Sequence, residues 1–462
     1  MGFRKLSEKD RIAGIAAARI VAFKAKADEI FAAARPKTRA ALAHGAKHYL
    51  DGVPMHWMRD WPQPFPLLVS EATGATIRDI DGNVLDDFCL GDTGSMFGHS
   101  PEPVVRAITS QAGKGLTYML PTEDALAAGE LLTEVFGPMR WQIATTATDA
   151  NRFALRVARA VTGRKKVLVF NGCYHGTVDD AMVTLAGGRT VTRPRLLGQA
   201  SDLSLTGICA EFNDLQGVES ALAGGDVAAI LTEPVMTNSC MVLPEKGFHD
   251  GLRRLATQYG ALLIIDETHT ISSGLGGYTR VNGLQPDMFV VGKCVAGGIP
   301  TSIWGMSDAV AARFLQVNAN RPSGHSGMGT TLSANPMQFA CLRAMLAEVM
   351  TEANYARMEQ GAARLEQDLS RVIAAYGLPW QVVRVGARVE FICYPDPLKN
   401  GAEAALAHHP ALEAAVHAGL LNRGCLIAPF HNMMLISPAT ETAQIDRLVQ
   451  AFDAVINELN GL

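Results

Sequence analysis

The chain has no pair of cysteines at CxxC spacing. Its eight cysteines, Cys89, Cys173, Cys209, Cys240, Cys294, Cys341, Cys393 and Cys425, are scattered. That pattern argues against a zinc ribbon or a disulfide framework and for reduced thiols. Positive charge is not in excess. The 41 Lys and Arg stand against 45 Asp and Glu, for a formal net charge of −4, so there is no general basic field for nucleic acid. Long unbroken apolar runs are missing as well. The Ala-rich stretch from Ile12 to Ala34 is interrupted by Arg19, Lys24, Lys26, Asp28 and Glu29. It reads as an amphipathic helix, not as a signal peptide or membrane span, and a cytoplasmic protein is expected. No internal repeat or low-complexity tract is present. Charged residues are scarce at 19%, while apolar ones reach 48% of 462 residues. This is the balance of a large-cored enzyme of two or three structural units.

Local patterning divides the chain. Residues 9 to about 45 read as helical with a break at Pro36. A segment rich in aromatics and prolines follows, from Gly52 to Pro66. Ala75–Asp79 and Val84–Phe88, split by Asp81-Gly82, form a hairpin signal. Strand candidates then alternate with helices: Val167–Phe170, Ala228–Thr232, Leu262–Ile265 and Met288–Val291. This is the rhythm of a mostly parallel α/β sheet. One long helical stretch is expected from Met337 to Tyr376, then a separate α+β lobe with strands Val389–Cys393 and Met433–Ile436. The expected organisation is an N-terminal helix, linker and hairpin over 1–95, a large domain over 96–336 and a small domain over 337–462.

Two of the apolar runs end in reactive side chains. Ala261–Ile265 leads into Asp266, and Met288–Gly292 leads into Lys293. Ligands of open α/β sheets bind outside the carboxyl ends of such strands. A lysine there can form a Schiff base and an aspartate can hold a pyridinium nitrogen, the pair that pyridoxal phosphate needs. Thr145–Asn151 opens a helix with small and hydroxyl residues, which suits a phosphate, although taken alone it is an ordinary N-cap. In Tyr174-His175-Gly176, past the strand Val167–Phe170, an aromatic ring could stack on a flat cofactor. Glu233-Pro234 ends another strand. Gly329–Pro336 carries hydroxyls and a glycine before the long helix.

In this order the motifs resemble those of the class III (fold-type I) pyridoxal phosphate aminotransferases, and most closely the glutamate-1-semialdehyde aminomutase branch. The resemblance runs from about Ala75 to the C-terminus. It implies an α/β fold-type I transferase: a large domain with a mostly parallel sheet flanked by helices, and a small α+β C-terminal domain joined by the N-terminal segment. It implies pyridoxal 5′-phosphate held by Lys293 as a Schiff base and by Asp266 at the pyridine nitrogen. Tyr174 would cover the ring, with His175 and Glu233 beside it. The loop Thr146-Ala147-Thr148-Asp149-Ala150 would bind phosphate, and Thr331 would reach the phosphate of a partner subunit in a homodimer. Several positions depart from the family pattern. Ala147 replaces a glycine, and alanine resists positive φ. Asp149 replaces a glutamate, and Thr330 a glycine. His269 stands where many relatives have a small apolar residue or methionine, and a structural role is expected for it.

The resemblance implies a ping-pong transamination from an amino acid or similar donor, including β- and ω-amino acids, to a 2-oxo acid such as pyruvate or 2-oxoglutarate. The alternative is a glutamate-1-semialdehyde 2,1-aminomutase, or a related aminomutase or racemase. Ala428–Asn432 lacks the C-terminal arginine with which many relatives take a substrate carboxylate. Arg59 and Arg388 are the candidates for that task, with His56, Trp57 and Phe430 as an aromatic wall. Neither a nucleic acid nor a membrane is expected as a partner.

Overall fold

The computed structural model describes residues 11–322, 326–428 and 431–461. Its centre is a seven-stranded sheet built from β1 (Arg140–Ala144), β2 (Lys166–Phe170), β3 (Gly207–Ala210), β4 (Val227–Thr232), β5 (Leu262–Asp266), β6 (Met288–Val291) and β7 (Ser302–Met306). The spatial order is β3-β2-β4-β5-β6-β7-β1. β7 alone runs opposite to the other six strands. The expected strands are thus present, in a mostly parallel sheet.

Apolar side chains leave these strands on both faces, as the two-residue repeat of a strand requires. Val167 and Val169 enter one core cluster, and Leu168 and Phe170 enter another on the opposite face. Leu262 and Ile264 likewise alternate with Leu263 and Ile265. Helices cover both faces, so the strands read as continuous apolar runs. Because β1, β2, β4, β5 and β6 point the same way, their carboxyl ends share one edge of the sheet.

A second core joins the two ends of the chain. Ile15, Ile20 and Phe88 pack with Leu365, Phe391, Leu420 and Phe452. The helix Ala17–Ala33 lies against Pro410–Leu421 and Thr442–Asn460. Pro36 sits at the first position of the next helix, Pro36–Gly45, where its missing N–H costs nothing. Strands Gln381–Val385, Arg388–Ile392 and Met433–Leu435 form an antiparallel sheet in this lobe. The hairpin Thr76–Asp79 and Val84–Asp87 forms as expected, and Val69–Thr73 and Cys425–Leu426 extend it to four strands.

The expected single helix from Met337 to Tyr376 is instead two helices, Pro336–Ala344 and Glu352–Ala375. A π turn over Met345–Val349 and a break at Met350-Thr351 separate them. The cause is local: Thr351 caps the second helix by accepting from Asn354 N, and Asn354 Nδ2 donates to Val349 O. All eight cysteines are free and buried. No helix among the described residues is long and apolar enough to cross a membrane.

Candidate active site

The shared strand edge opens on a cavity of about 500 Å³. Ala147 and Thr148 line one end of it, and Tyr174 and His175 a wall. Glu233, Asp266 and Lys293 also face it. Seven residues singled out from sequence therefore converge, although they lie on five different strand ends.

Asp266 ends β5 and is buried. Its Oδ2 accepts from Asn151 Nδ2 at 2.8 Å and pairs with His175 Nδ1 at 2.9 Å, and its Oδ1 accepts from Thr268 N at 3.1 Å. Burial pushes the Asp266 pKa up, but the bonds from His175, Thr268 and Asn151 outweigh it and hold the group below the usual carboxylate range. The same pairing moves His175 the other way. Burial opposes its charge, while Cys173 and Asp266 raise its pKa. Asp266 is thus a fixed anion at the cavity floor. Glu233 is spent on the Thr237 N–H and hydroxyl, and its burial raises its pKa.

At the other end, the helix Ala147–Thr162 begins with the Thr146 hydroxyl accepting from Asp149 N at 3.1 Å. Ala147 is its first helical residue, so the alanine meets no left-handed backbone. The first amides of a helix have no internal acceptor, and the helix dipole favours an anion there. Asp149 is engaged in this cap through the Thr146 hydroxyl at 3.0 Å. The turn after β2 packs directly on the helix start. Gly176 has φ +75, and a Cβ on it would meet Thr148 Oγ1 at 2.1 Å. Only glycine permits that approach.

Lys293 follows β6 with φ +53, an uncommon backbone for a residue with a Cβ. Its Nζ donates to Asp92 Oδ2 at 2.8 Å and lies 2.8 Å from His269 Nε2. Asp92 was not visible in the sequence as a site residue. It sits in a turn of four successive positive φ values: Leu90 (46), Gly91 (59), Asp92 (48) and Thr93 (81). Each of the three non-glycine residues costs roughly 1–3 kcal/mol in that conformation, and such strain clusters at functional sites. Asp87 pins the turn, since its Oδ1 accepts from Cys89 N at 2.8 Å and Leu90 N at 2.9 Å. Burial works to raise the Asp92 pKa, but the basic side chains that face it, Arg388 among them, hold it well below the carboxylate range. Asn151 was also missed. It is one helical turn after Ala147, a spacing that places it on the same helix face and could have found it.

The substrate candidates are dispersed. Arg388 is fully buried. Its Nη2 donates to Thr93 Oγ1 at 2.5 Å and to His269 Nδ1 at 3.0 Å. Its Nε and Nη1 are buried without a hydrogen-bond partner among the described residues. Gly386 lets this strand approach Ser272, since a Cβ there would lie 2.3 Å from Ser272 O. Arg388 does not itself line the cavity but lies behind it, against the lining residue His269. Arg59 is not brought to the cavity, and its Nη1 donates to Asp51 O at 2.8 Å. His56 is exposed and also outside it. Trp57 lines a separate apolar cavity of about 300 Å³, which shares Gly91 with the first. Thr331 is exposed and lies outside the cavity of its own chain. Phe430 lies outside the described residues.

The cavity thus offers a helix start for a phosphate, a carboxylate floor for a cationic ring nitrogen, an aromatic wall and an amine. The model for class-III aminotransferases matches residues 57–456. The chain belongs to the class-III aminotransferase family. The family read from the motif order is the family found, and the protein is a pyridoxal-phosphate-dependent enzyme of fold type I. A glutamate-1-semialdehyde 2,1-aminomutase of Desulfitobacterium hafniense (strain DSM 10664 / DCB-2) is 32% identical over 400 residues, covering 85% of this chain and 91% of the relative. The crystal structure of a glutamate-1-semialdehyde-aminomutase from Pseudomonas aeruginosa PAO1 is 46% identical with a TM-score of 0.95. That match covers 96% of this chain and all of the other. An omega-transaminase from Sphaerobacter thermophilus is 27% identical with a TM-score of 0.84, over 91% of this chain and 98% of that one.

The residues present fit pyridoxal phosphate. The cradle under Gly176 has no room for a Cβ, and Thr268, which lines the cavity, has its buried Oγ1 without a hydrogen-bond partner among the described residues.

Proposed function

We propose that this enzyme moves an amino group between adjacent carbons of one amino-acid-like substrate, as a 2,1-aminomutase. The observation that carries this reading is the likeness, at 46% identity along nearly the whole chain, to a glutamate-1-semialdehyde-aminomutase. The curated relative from Desulfitobacterium bears the same name. These likenesses support the alternative of the sequence analysis above its main expectation of ping-pong transfer.

Bound pyridoxal phosphate supplies the electron sink for a carbanion. In this reading the amides of Ala147 and Thr148 and the Thr148 hydroxyl hold its phosphate, and Tyr174 covers its ring. Asp266, kept anionic by His175, Asn151 and Thr268, holds the ring nitrogen protonated. Lys293 is its covalent anchor and, once released, the base and acid that moves a proton at the reacting carbon. Arg388, with unpaired buried donors, takes the substrate carboxylate. Exposed Thr331 serves the site of a second copy in a homodimer.

The decisive experiment gives the holoenzyme glutamate 1-semialdehyde with no oxo acid. The expected product carries the amino group on carbon 1 and the oxo group on carbon 2, with continuous turnover. Conversion that stops after one equivalent and resumes only with pyruvate or 2-oxoglutarate would overturn the aminomutase reading in favour of ping-pong transamination. Similarity to the omega-transaminase is what keeps that second reading in view.

A further inference from the structure

His269 touches the reacting amine. Its Nε2 lies 2.8 Å from Lys293 Nζ, and its Nδ1 lies 3.0 Å from Arg388 Nη2 and 3.3 Å from Thr93 Oγ1. A guanidinium can only donate, so Nδ1 accepts from Arg388. A neutral imidazole has one proton, and it must then sit on Nε2, facing Nζ. This tautomer is assigned from the hydrogen-bond network. The ring is buried, and burial holds it below the usual histidine range; an imidazolium, with a proton on both nitrogens, could not accept from Arg388, so the ring is neutral.

The consequence for Lys293 is geometric. A donor aimed at Nζ requires a lone pair there, while Asp92 Oδ2 at 2.8 Å accepts one of the amine's own N–H bonds. An ammonium has no lone pair, so its contact with Nε2–H would set donor against donor.

We propose that His269, with its tautomer fixed by Arg388, is a catalytic residue that keeps Lys293 Nζ a hydrogen-bond acceptor and stops the transferred proton from resting there. When Nζ takes a proton, the C–H bond breaks, its electron pair stays on the substrate side, and an N–H bond forms. The hydrogen bond from His269 is then lost. It is regained when Nζ returns the proton, so that the N–H bond breaks and the new bond to hydrogen forms with the retained pair. Arg388 acts here through His269 and is, in this respect, a positioning residue. The inference deepens the proposed function, since it rests on Lys293 being the reacting amine.

Two measurements test it on the full-length chain. The first uses protein labelled with ¹⁵N-histidine, freed of cofactor, with the His269 signals assigned by their loss in His269→Gln. The expected result is protonated Nε2 with bare Nδ1, and Arg388→Met should abolish that single tautomer. A protonated Nδ1, or an imidazolium, would overturn the proposal. The second follows exchange of the substrate proton with solvent deuterium in the loaded enzyme. His269→Leu should slow exchange by about 100-fold, and His269→Gln, whose amide restores an N–H donor, should recover most of it. Equal rates in the two variants would reduce His269 to packing and refute the idea. Lys293→Ala separates the two readings. Persistent exchange in it would sink the role of Lys293, while the tautomer result stands on its own.

Discussion

Replacing Gly176 by alanine probes the contact on which the phosphate end of the cavity depends. The residue has φ +75, and its new Cβ would fall 2.1 Å from Thr148 Oγ1 and 3.0 Å from Thr148 Cα and Cβ. A left-handed backbone costs alanine about 1–2 kcal/mol. Relieving the overlap costs about 1–3 kcal/mol more and moves Thr148 or the Tyr174–Thr177 turn. Thr148 Oγ1 also accepts from Thr177 N at 3.1 Å, so the hydroxyl cannot retreat without breaking that bond. If the hydroxyl helps to hold the cofactor phosphate, the variant loses one hydrogen bond to a charged group, about 1.5–3 kcal/mol. At 1.36 kcal/mol per decade this is roughly a 10- to 150-fold weaker Kd for pyridoxal phosphate. Titration of the cofactor-free protein, read by the absorbance of the bound cofactor, measures it directly. Thr148→Ala should show a similar loss. The double variant should lose much less than the sum, because alanine at 148 removes the atom that clashes. A Kd within twofold of wild type for Gly176→Ala, or strictly additive losses, would refute the reasoning.

Arg388→Met should raise KM about 30-fold or more for carboxylate-bearing substrates and leave it unchanged for analogues lacking the carboxylate. An equal effect on both would exclude carboxylate recognition. Its stability should also fall, because the buried Asp92 and Glu390 lose the charge that faces them and Thr93 and His269 each lose a donor. His417 is buried with its Nε2 3.1 Å from Ile427 O, and burial lowers its pKa to about 4. Below its unfolded value near 6.5 the unfolded chain binds more protons. Stability should therefore fall by about 3 kcal/mol as pH drops from 6.5 towards 4. Chemical denaturation across that range should show the decline in the wild type, and His417→Gln should make it shallower by about that amount, the remainder coming from other buried histidines such as His269 and His431. Mixing inactive Lys293→Ala and Thr331→Ala proteins should restore part of the activity, since one site of each mixed dimer would be intact. No recovery after verified subunit exchange would exclude a Thr331 acting across the interface.

What sequence alone determined was local. Asp266, Lys293, Glu233 and the Tyr174-His175-Gly176 turn were legible because each follows a short apolar run, and parallel strands bring their carboxyl ends to one edge. The helix start at Thr146 was legible from its hydroxyl cap. The break at Met350-Thr351 was not, because helical periodicity continues across it and only the Thr351 cap and the Asn354 bond mark it. The surroundings of Lys293 depended wholly on tertiary structure. Asp92 meets Lys293 across 201 residues of chain, and Arg388 meets His269 across 119. No periodicity or spacing encodes such contacts. They arise because the strained turn Leu90–Thr93 leaves the hairpin sheet toward the strand edge, while Gly386 docks the small lobe on Ser272. Sequence thus supplied the residues that converge on the cavity. Only the packing of the second lobe onto the sheet decided which charged groups surround Lys293, because contacts across that much chain are set by what is folded against the strand edge.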